Sequence, residues 1–198
     1  MQGTGAVAVK GRVLTGVDFS LIPFKLEHIS DSYIGWLNDP EVNRFLEVRF
    51  VHQTRATVEA FVRSFYSGAE KYLWGIYPKD GDMVGTATVQ SVKRTHGTCE
   101  LGVMIGEKSF WGEGASTEAM ELVAGFVFDT LGMRRLTGGS YSLNHGMNFT
   151  FNRLGWRREG TLREAFLFEG KFIDGYRWAI LADDWRQGKT ERPAPRAR

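Results

Sequence analysis

Residues 100–129 constrain the fold more than any other part of the chain. They read E-L-G-V-M-I-G-E-K-S-F-W-G-E-G-A-S-T-E-A-M-E-L-V-A-G-F-V-F-D. A strand pattern over 99–105 passes through a glycine-punctuated loop into an amphipathic helix. The loop Trp111-Gly112-Glu113-Gly114-Ala115-Ser116 lies where that helix begins. A helix N-terminus carries unpaired N–H groups and partial positive charge, so it attracts anions. Glycines let an anion come close to the backbone.

The rest of the chain can be arranged around this stretch. Residues 13–24 are rich in Val, Leu, Ile and Phe and predict a first strand closed by Pro23. Ile29, Tyr33, Trp36 and Leu37 recur at helical spacing, and Asn38-Asp39-Pro40 ends that helix. Pro40 suits the first turn of a short second helix reaching Leu46, with Asp39 as its N-cap. Thr54 caps a third helix with an apolar stripe of Val58, Phe61, Val62 and Phe65, and Gly68 follows near its end. Residues 72–77, 83–92 and 98–105 predict an antiparallel meander, turning at 79–82. After the loop, Met120, Val123, Val127 and Leu131 share one helical face. A strand at 135–141, a helix from an Asn144 cap to about Leu154, and a hairpin of strands 157–168 and 172–182 complete the chain. One strand–helix–strand crossover after a meander implies a mixed sheet with a parallel pair beside the anion-binding helix, and ligands favour such places.

Composition narrows the class. At 198 residues, with 42% hydrophobic and 24% charged residues, the chain reads as one soluble α/β domain with a sizeable core. No apolar run reaches the roughly 20 residues of a membrane helix, and the first residues lack the apolar core of a signal peptide, so a cytoplasmic location is expected. The single cysteine, Cys99, excludes an intrachain disulfide and a cysteine-based metal cluster. The net charge of +2 is a tail effect: five basic residues and one acid lie in 186–198, leaving 20 basic and 22 acidic residues elsewhere. The body at about −2 argues against a nucleic-acid-binding face. The expected division is a flexible lead (1–11), one domain (12–185) and a disordered basic tail (186–198).

Four segments in order carry a family resemblance. Glu100-Leu101-Gly102, followed by Trp111 to Ala119, resembles the GNAT superfamily of acetyl-CoA-dependent N-acetyltransferases. The likeness is greatest to its RimJ/RimL-like, ribosomal-protein-acetyltransferase branch. Trp36-Leu37-Asn38-Asp39-Pro40-Glu41-Val42 resembles that branch's early helices. Asn144 with Leu154-Gly155-Trp156 resembles its late helix, and Glu159-Gly160-Thr161-Leu162-Arg163 its late strand. The resemblance spans roughly residues 12–183. It implies a GNAT-like fold: a mixed, mostly antiparallel sheet of about seven strands flanked by helices, with a splayed parallel pair at the coenzyme A site.

Departures from the family pattern are specific. Trp111 and Ser116 stand where the loop usually has Gln or Arg and Gly or Ala. Phe151 occupies the place of a late-helix tyrosine, and Met147 replaces a serine. The tyrosine's proton is therefore missing, which leaves water or Tyr141 to protonate the leaving thiolate.

Residue chemistry gives the expected roles. Backbone amides from Gly112 to Ser116 suit the pyrophosphate of coenzyme A. Trp111 belongs to the same loop, and Glu113 within it is expected to point to solvent. The resemblance implies that the free amides of Val103, Met104 and Ile105 bind the pantetheine arm and polarise the thioester carbonyl. Glu100, at the other end of the strand, is a candidate general base. Asn144 is a helix cap or a pantetheine ligand, and the two are compatible. His52 and His145 read as surface or loop histidines, and no cluster has metal-ligand spacing.

The reaction so implied is direct transfer of acetyl from acetyl-CoA to a primary amine in a ternary complex. The acceptor is expected across the splayed strands, against residues such as Trp36, Asn38, Arg44, Phe45, Glu47, Arg49, Phe166 and Tyr176. A small-molecule amine, for example a nucleotide-linked amino sugar, is preferred. A protein N-terminus is the alternative, and a non-catalytic acetyl-CoA-binding module a second one. A homodimer formed through the terminal hairpin is compatible with the sequence.

Overall fold

A computed structural model describes residues 10–67 and 69–191. The strand expected at 13–24 folds back on itself as β1 (Leu14–Thr15) and β2 (Phe19–Pro23). Gly16 makes the turn, its N–H donating to the Phe19 carbonyl at 2.9 Å. A Cβ there would sit 2.0 Å from Glu118 Oε1 and 2.9 Å from the Phe19 carbonyl oxygen, so a larger residue would displace the Glu118 carboxylate and crowd the turn. That carboxylate accepts the backbone N–H of Asp18 at 3.0 Å and pins the hairpin to the helix of the glycine loop.

Helix α1 (Asp31–Asn38) begins at Ser30, whose Oγ accepts the Tyr33 N–H at 3.1 Å. The second short helix does not form, and residues 40–46 are a run of turns. Asp39 does accept the Glu41 N–H at 2.8 Å, in the manner of a cap. Side chain–backbone bonds nevertheless hold the segment out of a helix: Asn38 is bonded in both directions to Gln53 at 2.8 Å, and Asn43 donates to the Leu37 carbonyl at 2.9 Å. A single 3-10 turn, Glu47–Phe50, leads to α2 (Arg55–Arg63), capped by Thr54 as expected. Gly68 lies outside the described residues.

Strands β3 (Tyr72–Pro78), β4 (Gly85–Lys93) and β5 (Thr98–Ile105) form the antiparallel meander. Helix α3 (Ala115–Gly125) follows the glycine loop and runs on as a π-helical turn, Phe126–Thr130. Strand β6 (Arg135–Tyr141) returns parallel to β5. Helix α4 (His145–Arg153), the hairpin of β7 (Arg157–Phe168) and β8 (Lys171–Leu181), and α5 (Ala182–Glu191) complete the described chain. Among the described residues the sheet has eight strands in the order β1-β2-β3-β4-β5-β6-β8-β7, and only β5 and β6 pair in parallel. The strand beyond the expected seven comes from the fold-back at Gly16.

Helix α5 corrects the reading of the tail. The segment from Arg186, expected to be disordered, is helical as far as Glu191. Trp185 is buried and packs on Phe128 with ring centroids 5.4 Å apart. Arg186 pairs with Asp129 and Asp183, each at 3.5 Å. Residues 192–198, and 1–9 of the expected lead, lie outside the described residues.

The sheet has a core on each face. Tyr33, Trp36, Val58, Val62 and Phe65 from the α1–α2 side cover Phe24 and Leu73. Met120 and Val123 of α3, with Val127 of the π-helical turn, are fully buried on the other side against Leu21, Trp74, Ile76 and Val89. Each such side chain contributes about 1.5–3 kcal/mol relative to exposure. Among the described residues no helix is long and apolar enough to cross a membrane.

The feature that positions the site is where β5 and β6 part. They pair at Thr98↔Arg135, Cys99↔Leu136 and Glu100↔Thr137, and no further. From Leu101 to Ile105 the edge of β5 that faces β6 has no strand partner.

Candidate active site

The parting of β5 and β6 opens a cleft of about 470 Å³. Val103, Met104 and Ile105 form one wall, and Asn144, Met147, Thr150 and Arg153 at and along α4 form the other. Trp111, Gly112, Gly114 and Ser116 close one end. Nearly all of the residues expected to hold the donor therefore meet in one cleft. The side chains of Ala115 and Glu113 do not line the cleft: Ala115 is buried in the core, and Glu113 is exposed, as expected of a carboxylate in this loop.

The start of α3 is built unlike those of α1, α2 and α4. Ser30, Thr54 and Asn144 cap α1, α2 and α4 with side-chain oxygens, whereas α3 begins at Gly114 with no side-chain cap. The first intrahelical bond runs from Glu118 N–H to the Gly114 carbonyl at 3.0 Å. The amides of residues 115–117 therefore project from the helix end. Gly112 and Gly114 hold φ of +83° and +87°, a region that favours glycine, and a Cβ on either would meet nothing within 4 Å. An open backbone surface with unpaired donors and a helix dipole is a site for an anion.

Trp111 is anchored rather than free, its indole N–H donating to the Ile105 carbonyl at 2.9 Å. That bond fixes the loop to the end of the unpaired strand. Asn144 is the α4 cap, its Oδ1 accepting the Met147 N–H at 3.1 Å, and it also lines the cleft. Sequence reasoning missed Arg153. Helical spacing from Gly146 through Thr150 to Arg153 carries it onto the cleft-lining face of α4, a signal present in the sequence.

A second cavity, about 450 Å³, lies on the opposite side of the splay, between the α1–α2 layer and the β4–β5 surface. Apolar groups dominate its lining; the polar ones are Tyr33, Glu47, Gln53, Thr86, Thr88 and Gln90. The two cavities share Leu46, Val103, Met104 and Met147. They meet at the unpaired part of β5.

The candidate acid and base groups sit as follows. Glu100 pairs with Gln90 across β4–β5, so it shares a face with Gly102 and Thr88, just beyond the floor of the second cavity. Its Oε1 accepts from Arg177 Nη1 at 3.0 Å. Arg177 reaches across β6 at Gly139, where a Cβ would stand 3.7 Å from its Nη1. The Glu100–Arg177 pair therefore ties β5 to β8 at the base of the splay. Phe151 is buried in the second cavity's wall, stacked on Trp178 at 5.2 Å. Tyr33 lines this cavity too, and burial pushes its phenol up to about 12, outside useful acid–base range. Burial, and then the carboxylate of Glu47, raise the Tyr141 phenol above its ordinary value. Among the described residues no group of three or more His, Cys, Asp or Glu could hold a metal ion.

Known proteins share this fold. The family described as "Acetyltransferase (GNAT) domain" matches residues 18–157. A relative, the [ribosomal protein uS5]-alanine N-acetyltransferase of Escherichia coli K12, is 25% identical over 130 residues, covering 65% of this chain and 66% of that protein. Among solved structures, the RimL ribosomal L7/L12 alpha-N-protein acetyltransferase in complex with coenzyme A superimposes with a TM-score of 0.77. It is 14% identical, covering 87% of this chain and 99% of that one. The spermidine N-acetyltransferase of Vibrio cholerae, in complex with CoA and spermine, gives 0.76 at 15% identity, covering 85% and 98%. The fold, the cleft and the family match together establish that the chain belongs to the GNAT family and is an acetyl-CoA-dependent N-acetyltransferase.

Proposed function

We propose that this enzyme acetylates a primary amine carried on a small molecule, which occupies the cavity between the α1–α2 layer and β4–β5 while the donor occupies the cleft across the splay. The observation that carries this reading is the meeting of the two cavities at Leu46, Val103, Met104 and Met147. An amine in one and a thioester in the other approach each other only there, and positioning of that kind supplies much of the rate of a bimolecular transfer.

Acetyl-CoA, when bound, supplies the activated acetyl group. The residues present suit it: the uncapped start of α3, with Gly112 and Gly114 leaving the backbone open, would hold the pyrophosphate. The unpaired edge of β5 at Val103, Met104 and Ile105 would hold the pantetheine arm, and Asn144 lies on the facing wall. In this reading Glu100 takes the amine's proton through a water, from its place beside the cavity floor; Oε2 is the oxygen not committed to Arg177. Phe151 has no proton to give, so the thiolate is protonated by water.

The lining refines the acceptor. Among the described residues no Lys, Arg or His lines the second cavity, and Glu47 is its one charge. That lining does not favour a nucleotide-linked amino sugar, whose phosphates would find no cation. An uncharged or cationic body suits it better. The uS5-alanine relative supports a second reading, in which the N-terminal residue of a protein enters the same cavity.

The test is thiol release from acetyl-CoA with a panel of small amines set against N-terminal peptides. Faster turnover of peptides than of every small amine would transfer the assignment to the second reading. Glu100→Gln is expected to lower kcat by about 10²- to 10⁴-fold and to change the pH–rate profile. An unchanged rate and profile with a good acceptor would remove Glu100 from the mechanism.

A further inference from the structure

Glu47 lies in the 3-10 turn at the mouth of the acceptor cavity and is the one charged side chain in its lining. Its neighbour Leu46 lines both cavities, which puts the carboxylate close to where they meet. The carboxylate is oriented rather than loose. Its Oε1 accepts a hydrogen bond from the Tyr141 hydroxyl, and that hydroxyl accepts one from Arg49 Nη1 at 2.9 Å. Tyr141 is held in turn by stacking on Phe166, with ring centroids 4.2 Å apart. Arg49 is held by the Leu167 carbonyl, to which its Nη2 donates, and by the Phe50 ring 4.3 Å from its Cζ. Three parts of the chain, the 3-10 turn, the end of β6 and the tip of the β7–β8 hairpin, thus fix one acidic group.

Arg49 reaches Glu47 only through the tyrosine. Among the described residues no Lys, Arg or His nitrogen forms an ion pair with the Glu47 carboxylate. Elsewhere the lining offers apolar surface and neutral hydroxyl, phenol and amide groups. A preoriented carboxylate without a cationic partner, facing an otherwise uncharged cavity, is complementary to an ammonium group, because charge-assisted bonds are the strong ones.

We infer that Glu47 receives the ammonium group of the acceptor, and that the enzyme selects alkylamines that are cationic at neutral pH. Tyr141 and Arg49 are positioning residues for that carboxylate. This rests on the reading of the second cavity as the acceptor site. Glu47 fixes the acceptor nitrogen beside the unpaired strand, and Glu100 remains the group that takes the proton.

The experiment uses the full chain and two amines of similar size: an alkylamine, and an arylamine that is uncharged at the assay pH. In Glu47→Gln, the KM for the alkylamine is expected to rise by about 10- to 100-fold, the factor for one charge-assisted bond. The KM for the arylamine and the Kd for coenzyme A stay at wild-type values. Tyr141→Phe shows the same split with a smaller rise. An equal loss on both amines, or no loss on the alkylamine, overturns the inference. Calorimetric titration of the alkylamine into the coenzyme A complex reads the same contrast without turnover: binding weaker in Glu47→Gln supports the inference, and equal binding overturns it. The underlying reading fails separately. If Gly102→Leu, which fills the cavity floor, leaves turnover unchanged, the cavity is not the acceptor site whatever Glu47 does.

Discussion

Replacing Gly114 by alanine separates the two roles its backbone carries. Gly114 holds φ of +87° and ψ of −2°, and an added Cβ meets nothing within 4 Å. The cost to the fold is thus backbone strain alone, about 1–2 kcal/mol for an L-residue in the left-handed region. In a chain of this size each kcal/mol lowers Tm by about 2–4 °C, so a drop of about 2–8 °C is expected. The cost to the donor is different in kind. The new methyl stands beside the unpaired amides at the start of α3, where a pyrophosphate would lie. Losing one charge-assisted hydrogen bond there weakens coenzyme A binding by about 10- to 100-fold. Gly132 provides the matched control: its φ is +66°, its Cβ would also enter open space, and it lies away from the cleft. Thermal denaturation of the unliganded variants and calorimetric titration with coenzyme A measure the two costs apart. Both variants are expected to lose Tm, and only Gly114→Ala to lose affinity. If Gly114→Ala binds coenzyme A as tightly as Gly132→Ala, the loop is an ordinary glycine turn and the cradle argument fails.

Two further outcomes follow from the packing. Phe151→Tyr is not expected to restore a proton donor, because the ring's far edge already lies against β6. Phe151 Cζ and Cε1 stand 2.8 and 3.0 Å from where a Cβ on Gly138 would be, so the ring edge already takes up the room that this glycine leaves beside β6. The variant is expected to lose about 1–3 kcal/mol by overpacking, with no gain in kcat; a faster enzyme of unchanged Tm would refute this. The second outcome concerns acid stability. Arg94, first by its hydrogen bonds, holds the Glu70 carboxyl below its ordinary 4.5, and the Tyr72 hydroxyl also donates to it. A carboxyl lowered in the folded state stabilises the fold above its unfolded value and loses that contribution as pH falls through the folded one. Glu70→Gln is therefore expected to lower stability at neutral pH and to flatten its decline below about pH 4.5 in urea titrations; parallel pH curves for variant and wild type would refute the assignment.

Much of the donor side was legible because it is built from contiguous backbone. Glycine positions, the strand before them, the apolar stripe of α3 and the Asn144 cap are all local signals, and each maps to one element. The errors have local causes as well. Asp39 looked like a helix cap and does bond the next amides, but bonds from Asn38 to Gln53 and from Asn43 to Leu37 hold 40–46 as turns. These link residues 15 and 6 apart, and no periodicity announces them. Helix α5 was hidden because its sequence is strongly polar, with a single large apolar anchor, Trp185, whose partner Phe128 belongs to another part of the chain. The fold-back at Gly16 depends on Glu118, about 100 residues away. The Glu100–Arg177 pair spans 77 residues and exists only because Gly139 leaves a path over β6.

The same contrast explains why the donor could be named and the acceptor could not. An anion held by amides at a helix start makes few demands on side chains, so Trp111 and Ser116 can depart from the usual loop without closing the cleft. The cavity proposed for the acceptor is lined instead by side chains from several elements, among them α1, the 3-10 turn, α2, β4, β5 and α4, so its character depends on residue identities scattered along the chain. Structures that share this fold at 14–15% identity accordingly act on acceptors as unlike as a ribosomal protein and spermidine. Overall likeness therefore carries little information about the acceptor here, and the charge of the lining carries more. On the proposed reading, one carboxylate among neutral and apolar groups sets a preference that the fold does not, and moving that charge is a more direct route to the substrate than further comparison of folds.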